Sequence, residues 1–253
     1  IKSGLQRGQI PIGEIRIGVY GNEDPMYILA GLPFIAPDYA TAWLLKDLAK
    51  GYIDNAFKEK GLKILYYTPW PGQGFYTKFP VNSTSDFKGK KLRIYSTATQ
   101  KMGQMLGFNA TILPFAEIPQ AFSTGLIEAL FTSPQTGIDI QAWDNTKHFT
   151  YAGAIFSKNA VVVGEKYFSA LSANDQSNML AAAARAELRG WEMSAATTVA
   201  QMAILKKNGM TVVNAPDSVI TKMKEIGKEM MAGWRKDASP EAIAVLDRYL
   251  ALQ

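Results

Sequence analysis

From Ser172 to Asn208 the chain runs without a proline, and only Gly190 interrupts a long stretch of helix-forming residues. Ser172 followed by Asp175 three positions on is a helix-opening capping pattern. A helix of about 36 residues extends roughly 54 Å at 1.5 Å per residue, more than one lobe of a chain this size is wide. Such an element must bridge two bodies or bend between them. With 253 residues the chain is long enough for two modest lobes, each with its own core. A hydrophobic fraction of 47% with 19% charged residues is the make-up of a chain that folds.

The segments on either side alternate between strand and helix patterns. Ile15, Ile17 and Val19 mark a period-2 strand that ends in the polar turn Gly21 to Pro25. A proline-punctuated apolar loop, "ILAGLPFIAPDY", leads to a helix over 41–60, whose apolar face is Trp43, Leu44, Leu48, Ile53 and Phe57. "LKILYYT" reads as a strand, "PWPGQGFYT" as an aromatic and glycine-rich loop, and "KLRIYST" as a further strand. Shorter strand and helix patterns follow, with strands at "ATILPF", "LIEALFT", Ala160 to Val163 and "MTVVNAP", and helices over 217–234 and 240–250. This rhythm predicts an α/β protein of two lobes with a cleft between them and the long helix spanning both. The expected division is 1–70 with 158–208 in one lobe, and 71–157 with 209–253 in the other.

Several function classes lose support at once. A net charge of +5 is spread along the chain without a basic, aromatic-rich motif, so a solvated face is expected rather than nucleic-acid binding. Cysteine is absent, which removes thiolate chemistry and cysteine-based metal sites and leaves the redox compartment open. No apolar run approaches the roughly 18 residues of a membrane helix, and no signal peptide opens the chain. The single histidine, His148, has no carboxylate at motif spacing and reads as a structural or surface residue. No nucleophile elbow, zinc motif, phosphate loop or dinucleotide fingerprint is present. No cofactor or metal is expected. A hydrolase or lyase would have to work with Glu23, Asp24, Glu117 and His148, which form no recognised constellation.

In α/β sheets ligands bind beyond the carboxyl ends of the strands, and three strand ends here carry anchoring groups. One offers Trp70, Gln73 and Tyr76; another Arg93, Tyr95 and Ser96; the third Thr132, Ser133 and Gln135. Arg93 is the most informative. It stands between Leu92 and Ile94 in an apolar strand, and an arginine so placed needs an anion. The structural alternatives are a plug for Trp70, a local pair with Asp86 for Arg93, and a helix cap for Thr132 and Ser133.

The succession "GNEDP", "GLPFIAPDY", "DFKGKKLRIYST", "LPFAEIPQAFSTGLIEALFTS" and "AAARAELRGW" resembles the DctP-type solute receptors of tripartite ATP-independent periplasmic (TRAP) transporters. The likeness runs over nearly the whole chain. It implies a periplasmic, non-enzymatic receptor that closes two lobes on a small organic acid and delivers it to TRAP membrane permease subunits. Arg93 matches the family's carboxylate-gripping arginine, whose planar fork suits two carboxylate oxygens. Phe115 matches a family aromatic, and Thr132 falls at or near a site position often occupied by asparagine. Gln73 aligns near a second basic residue of some receptors, which leaves one strong cation and favours a monocarboxylate. The implied pocket has Gln73, Thr132 and Ser133 as donors and Trp70 and Phe115 on the carbon skeleton, with Tyr95, Ser96 and Glu23 as further candidates. Pyroglutamate, pantoate, branched 2-oxo acids and aromatic acids all suit it. The family's opening strand, helix and second strand have no counterpart before "IKSGLQRGQIPIGE". The nearest rival is a receptor of the ATP-driven (ABC) class, from which the single long bridging helix separates this chain.

Overall fold

The computed structural model describes residues 1–253. In chain order its elements are α1 (Lys2–Gln6), β1 (Ile12–Arg16), α2 (Met26–Leu29), α3 (Tyr39–Lys58), β2 (Leu62–Pro69), β3 (Gly74–Thr77), β4 (Lys91–Ile94) and α4 (Thr97–Met105). They continue with β5 (Asn109–Ile112), α5 (Ile118–Ser123), β6 (Ala129–Thr132), α6 (Pro134–Asp139), β7 (His148–Tyr151), β8 (Lys158–Gly164) and α7 (Glu165–Ser169). The last are α8 (Ala173–Lys207), β9 (Thr211–Asn214), α9 (Asp217–Asp237) and α10 (Pro240–Leu250).

The strands form two sheets. The first has the order β1-β8-β2, antiparallel throughout. The second has the order β5-β4-β6-β3-β7-β9, in which β4 runs parallel to β5 and β6, and β3 runs antiparallel to β6 and β7. The chain passes between the sheets through residues 70–73 and again through 152–157, and these crossings are tied together. Trp70 N donates to Ser157 O at 2.7 Å, and Gly153 N donates to Gln73 O at 2.9 Å.

The long helix holds both sheets by short, chemically specific contacts. Its N-cap Ser172 accepts from Asp175 N at 3.1 Å. β2 is an edge strand, and Glu187 and Trp191, one turn apart, satisfy its open edge at Tyr67. Tyr67 N donates to Glu187 Oε1 at 2.9 Å, and Trp191 Nε1 donates to Tyr67 O at 3.1 Å. Gly190 eases this approach, because a Cβ there would come within 3.1 Å of Thr68 Cγ2 and push it aside by a few tenths of an ångström. Toward its other end α8 buries Leu205 in the core beneath the second sheet, and Gln201 Nε2 donates to Gln135 of α6 at 2.9 Å. The bridge expected of the Ser172–Asn208 run is present as one continuous helix.

Several expectations need correction. The first strand stops at Arg16 and gives way to a 3-10 turn over Ile17–Tyr20, so Val19 is 44% exposed rather than core-facing. The stretch read as a glycine-rich loop contains β3, an inner strand buried along its whole length. Its Gly74 has no room for a side chain, since a Cβ would lie 2.4 Å from Thr150 O. At the end of the chain α10 packs on α3, burying Ala242, Leu246 and Tyr249, and the Tyr249 hydroxyl donates to Ile35 O at 2.7 Å.

Candidate functional site

A cavity of about 520 Å³ opens between the two sheets. Arg16, Val19 and Trp70 line it from the first, and Arg93, Tyr95, Phe115, Thr132, Thr136 and Asp139 from the second.

Arg93 sits in β4, with Leu92 and Ile94 fully buried on the opposite side of the strand, and is itself only 4% exposed. Its Nε donates to Leu113 O at 3.1 Å, which fixes the guanidinium while leaving its terminal amino groups for the cavity. Burial, reinforced by the neighbouring Arg16, lowers its pKa to about 10, so the group is charged at neutral pH at an energetic cost.

Arg16 is the residue that reading the sequence missed. It ends β1, and its guanidinium carbon lies 4.1 Å from the centre of the Tyr95 ring and 5.7 Å from that of Trp70. Desolvation lowers its pKa as well, with Tyr95 opposing the shift. Neither arginine takes part in any of the ion pairs of the chain. Two guanidiniums therefore line one cavity without being ion-paired, and an anion entering it is attracted by both. The expectation of a single strong cation is corrected. The signal was available: "EIRI" sets an arginine among isoleucines just as "KLRI" does.

The other candidates divide. Thr132, 2% exposed at the end of β6, and Phe115, 52% exposed at the mouth, lie on the cavity with Trp70 and Tyr95. Trp70 is oriented by donating Nε1–H to Asn159 Oδ1 at 3.0 Å. Gln73 is buried off the cavity with its amide already engaged. It accepts from the Tyr95 hydroxyl at 2.6 Å and donates to Ser157 Oγ at 3.0 Å. Ser133 caps α6 by accepting from Thr136 N, and Ser96 caps α4 by accepting from Thr99 N, each at 3.2 Å. Glu23 lies elsewhere, paired with Lys2 and Lys60, which hold it below the usual carboxylate range although burial alone would raise it. Asp139 was not singled out from sequence. Its carboxylate accepts from Gln135 Nε2 at 2.7 Å and gives the cavity wall a hydrogen-bond acceptor.

No group of histidine, cysteine, aspartate and glutamate side chains is placed to hold a metal ion, and no helix is long and apolar enough to cross a membrane. The arrangement suits recognition of an anion carrying a small body.

Residues 2–237 match the model of the bacterial extracellular solute-binding proteins of family 7, DctP. DctP7 of Bordetella pertussis, an extracytoplasmic solute receptor binding pyroglutamic acid, superposes with a TM-score of 0.96 at 36% identity, over 98% of this chain and 82% of that one. A marine metagenome TRAP solute-binding protein specific for pyroglutamate gives 0.95 at 33% identity, over 99% and 83%. A Haemophilus influenzae TRAP protein with bound L-gulonate shares the fold, with a TM-score of 0.92 at 20% identity, over 100% and 83%. The C4-dicarboxylate-binding periplasmic protein DctP of Rhodobacter capsulatus is 24% identical over 89% of this chain, which spans 65% of that protein's length. The two-lobed α/β architecture and the match over nearly its whole length place this chain in the DctP family of solute-binding proteins.

Proposed function

We propose that the chain is the periplasmic receptor of a TRAP transporter, binding a small monocarboxylic acid of the pyroglutamate kind and passing it to membrane permease subunits. The observation that carries this reading is that Arg93, buried in β4, and the half-buried Arg16 line one cavity and take part in no ion pair. In this reading the ligand carboxylate takes the terminal amino groups of Arg93 in a forked pair. Thr132 donates a hydroxyl, Trp70 and Phe115 cover the carbon skeleton, and Asp139 accepts from an N–H or O–H on the ligand. The two receptors at 36% and 33% identity that bind pyroglutamate support that substrate class. Binding makes and breaks no covalent bond; the sheets draw together and the ion pair loses water.

Arg16 favours a second reading, a dicarboxylate held between two cations. Asp139 on the same wall weighs against it, because a second ligand carboxylate would meet a like charge. Titration calorimetry of pyroglutamate against succinate and malate decides between them. The monocarboxylate is expected to bind more tightly by at least tenfold, and tighter succinate or malate binding would overturn that assignment. X-ray scattering should show compaction on saturation, and unchanged dimensions would count against closure.

A further inference from the structure

Behind the ligand cavity lies a second, much smaller chamber of about 30 Å³. Arg16 and Tyr95 line both spaces and form the partition between them. Beyond that partition the chamber meets Ser157 and Lys158 where the chain enters β8, and Ser96 at the cap of α4. Its volume exceeds the 10–15 Å³ or so that one water needs and is far too small for the body of an organic acid.

Positive charge dominates its polar wall. Arg16 and Lys158, each half-buried, form no ion pair, and neither has a side-chain hydrogen-bond partner. The first turn of α4 reaches the chamber at Ala98 and adds the positive end of a nine-residue helix. No carboxylate lines the space. Nearby Lys46 is already matched by Asp47 and Glu187, at 2.7 and 3.2 Å. Burial, with Lys46 adding to it, pulls the Lys158 ammonium down to about 8, the direction expected of a cation without a partner. Much of the remaining wall is apolar, including Ile17, Met26 and Ile28, which suits a weakly hydrated ion.

We infer that this chamber is a binding site for one small monovalent anion of halide size, held between Arg16 and Lys158. Such an ion would compensate the charge behind the partition and fix Arg16 against Tyr95 before the organic acid arrives. The acid's own carboxylate is the alternative source of negative charge there, and the test separates the two.

Crystals of the acid-free protein soaked in sodium bromide should give an anomalous peak in the chamber beside Arg16 and Lys158. In solution, bromide should raise the melting temperature saturably, by roughly 5 °C at a hundredfold excess over its dissociation constant. Lys158→Met should remove that rise, whereas Arg93→Ala, which disables the outer cavity, should keep it. Anomalous peaks only elsewhere, or an equal rise in Lys158→Met, would overturn the site. A complex with pyroglutamate whose carboxylate enters the chamber would reassign it to the acid. Because the bromide measurements need no organic acid, they stand or fall separately from the receptor reading.

Discussion

The two sheets contribute to the cavity in unequal ways. The second offers a floor of side chains from neighbouring strand ends and the loops after them, and its arginine is pinned by a carbonyl and buried to 4% exposure. The first offers one arginine at the end of a strand that breaks into a 3-10 turn, leaning on an aromatic ring from the opposite side. A group that is positioned in advance loses little freedom when ligand arrives, whereas one held by stacking alone must be ordered by it. Under the proposed receptor role this is a division of labour: the six-stranded sheet supplies the cation already in position, and the three-stranded sheet the one whose order depends on what fills the spaces beside it.

The sharpest way to break this comparison is to remove each arginine in turn. Arg93→Ala should cost about 3–5 kcal/mol of binding, a hundredfold or more in affinity by calorimetry. Arg93→Lys should retain only a remnant, because the fork is lost. Arg16→Gln should cost about 1.5–3 kcal/mol, the range of a single charged hydrogen bond. If Arg16→Gln proves the more damaging, the assignment of roles is inverted.

Acidity gives a second handle. Arg93 is charged below about 10, so pyroglutamate affinity should be insensitive to its titration at neutral pH and should fall as pH rises through about 10. The sign for stability is opposite. From about 10 up to the ordinary arginine range the unfolded chain holds the proton more firmly than the folded one, so this group's contribution to stability rises with pH. Tyr67, Tyr76 and Tyr95, whose pKa values burial raises, oppose it in the same interval. The contribution is therefore read as the melting-temperature difference between the protein and Arg93→Met, which should grow in favour of the arginine as pH rises while affinity falls. Smallest of all, Ser133→Ala should lower stability by about 1 kcal/mol through its lost cap while leaving affinity within a few-fold. A large affinity loss there would return Ser133 to the ligand.

How much could be read from the sequence follows the same asymmetry. The bridging helix was legible because a breaker-free run has one geometric meaning, and Arg93 because a charge among apolar strand residues demands a partner. Arg16 carries the same signal. It was hidden because Ile15, Ile17 and Val19 continue the alternation past the point where the strand ends, and a 3-10 turn leaves no mark at that spacing. β3 was hidden for the opposite reason: the glycine that lets it slide between β6 and β7 is the residue that marks loops. Gln73 looked like a ligand donor because a polar residue in an aromatic loop has no visible partner until residues distant in sequence, Tyr95 and Ser157, are brought beside it. Folding supplied those partners and consumed its amide.

Between the turn of α8 that seals β2 and the turn that meets α6, the helix carries Thr197 and Thr198, whose hydroxyls donate to the carbonyls of Met193 and Ser194 at 2.8 and 3.0 Å. Side-chain bonds of this kind compete with the helix's own ladder and favour curvature. A rod clamped at its middle and again toward its C-terminal end, and softened between, converts a change of angle between its clamps into bending at one known place. Fluorophores flanking that place, on the solvent side and away from the cleft, would turn this solute-binding protein into an optical gauge for whatever solute draws its sheets together.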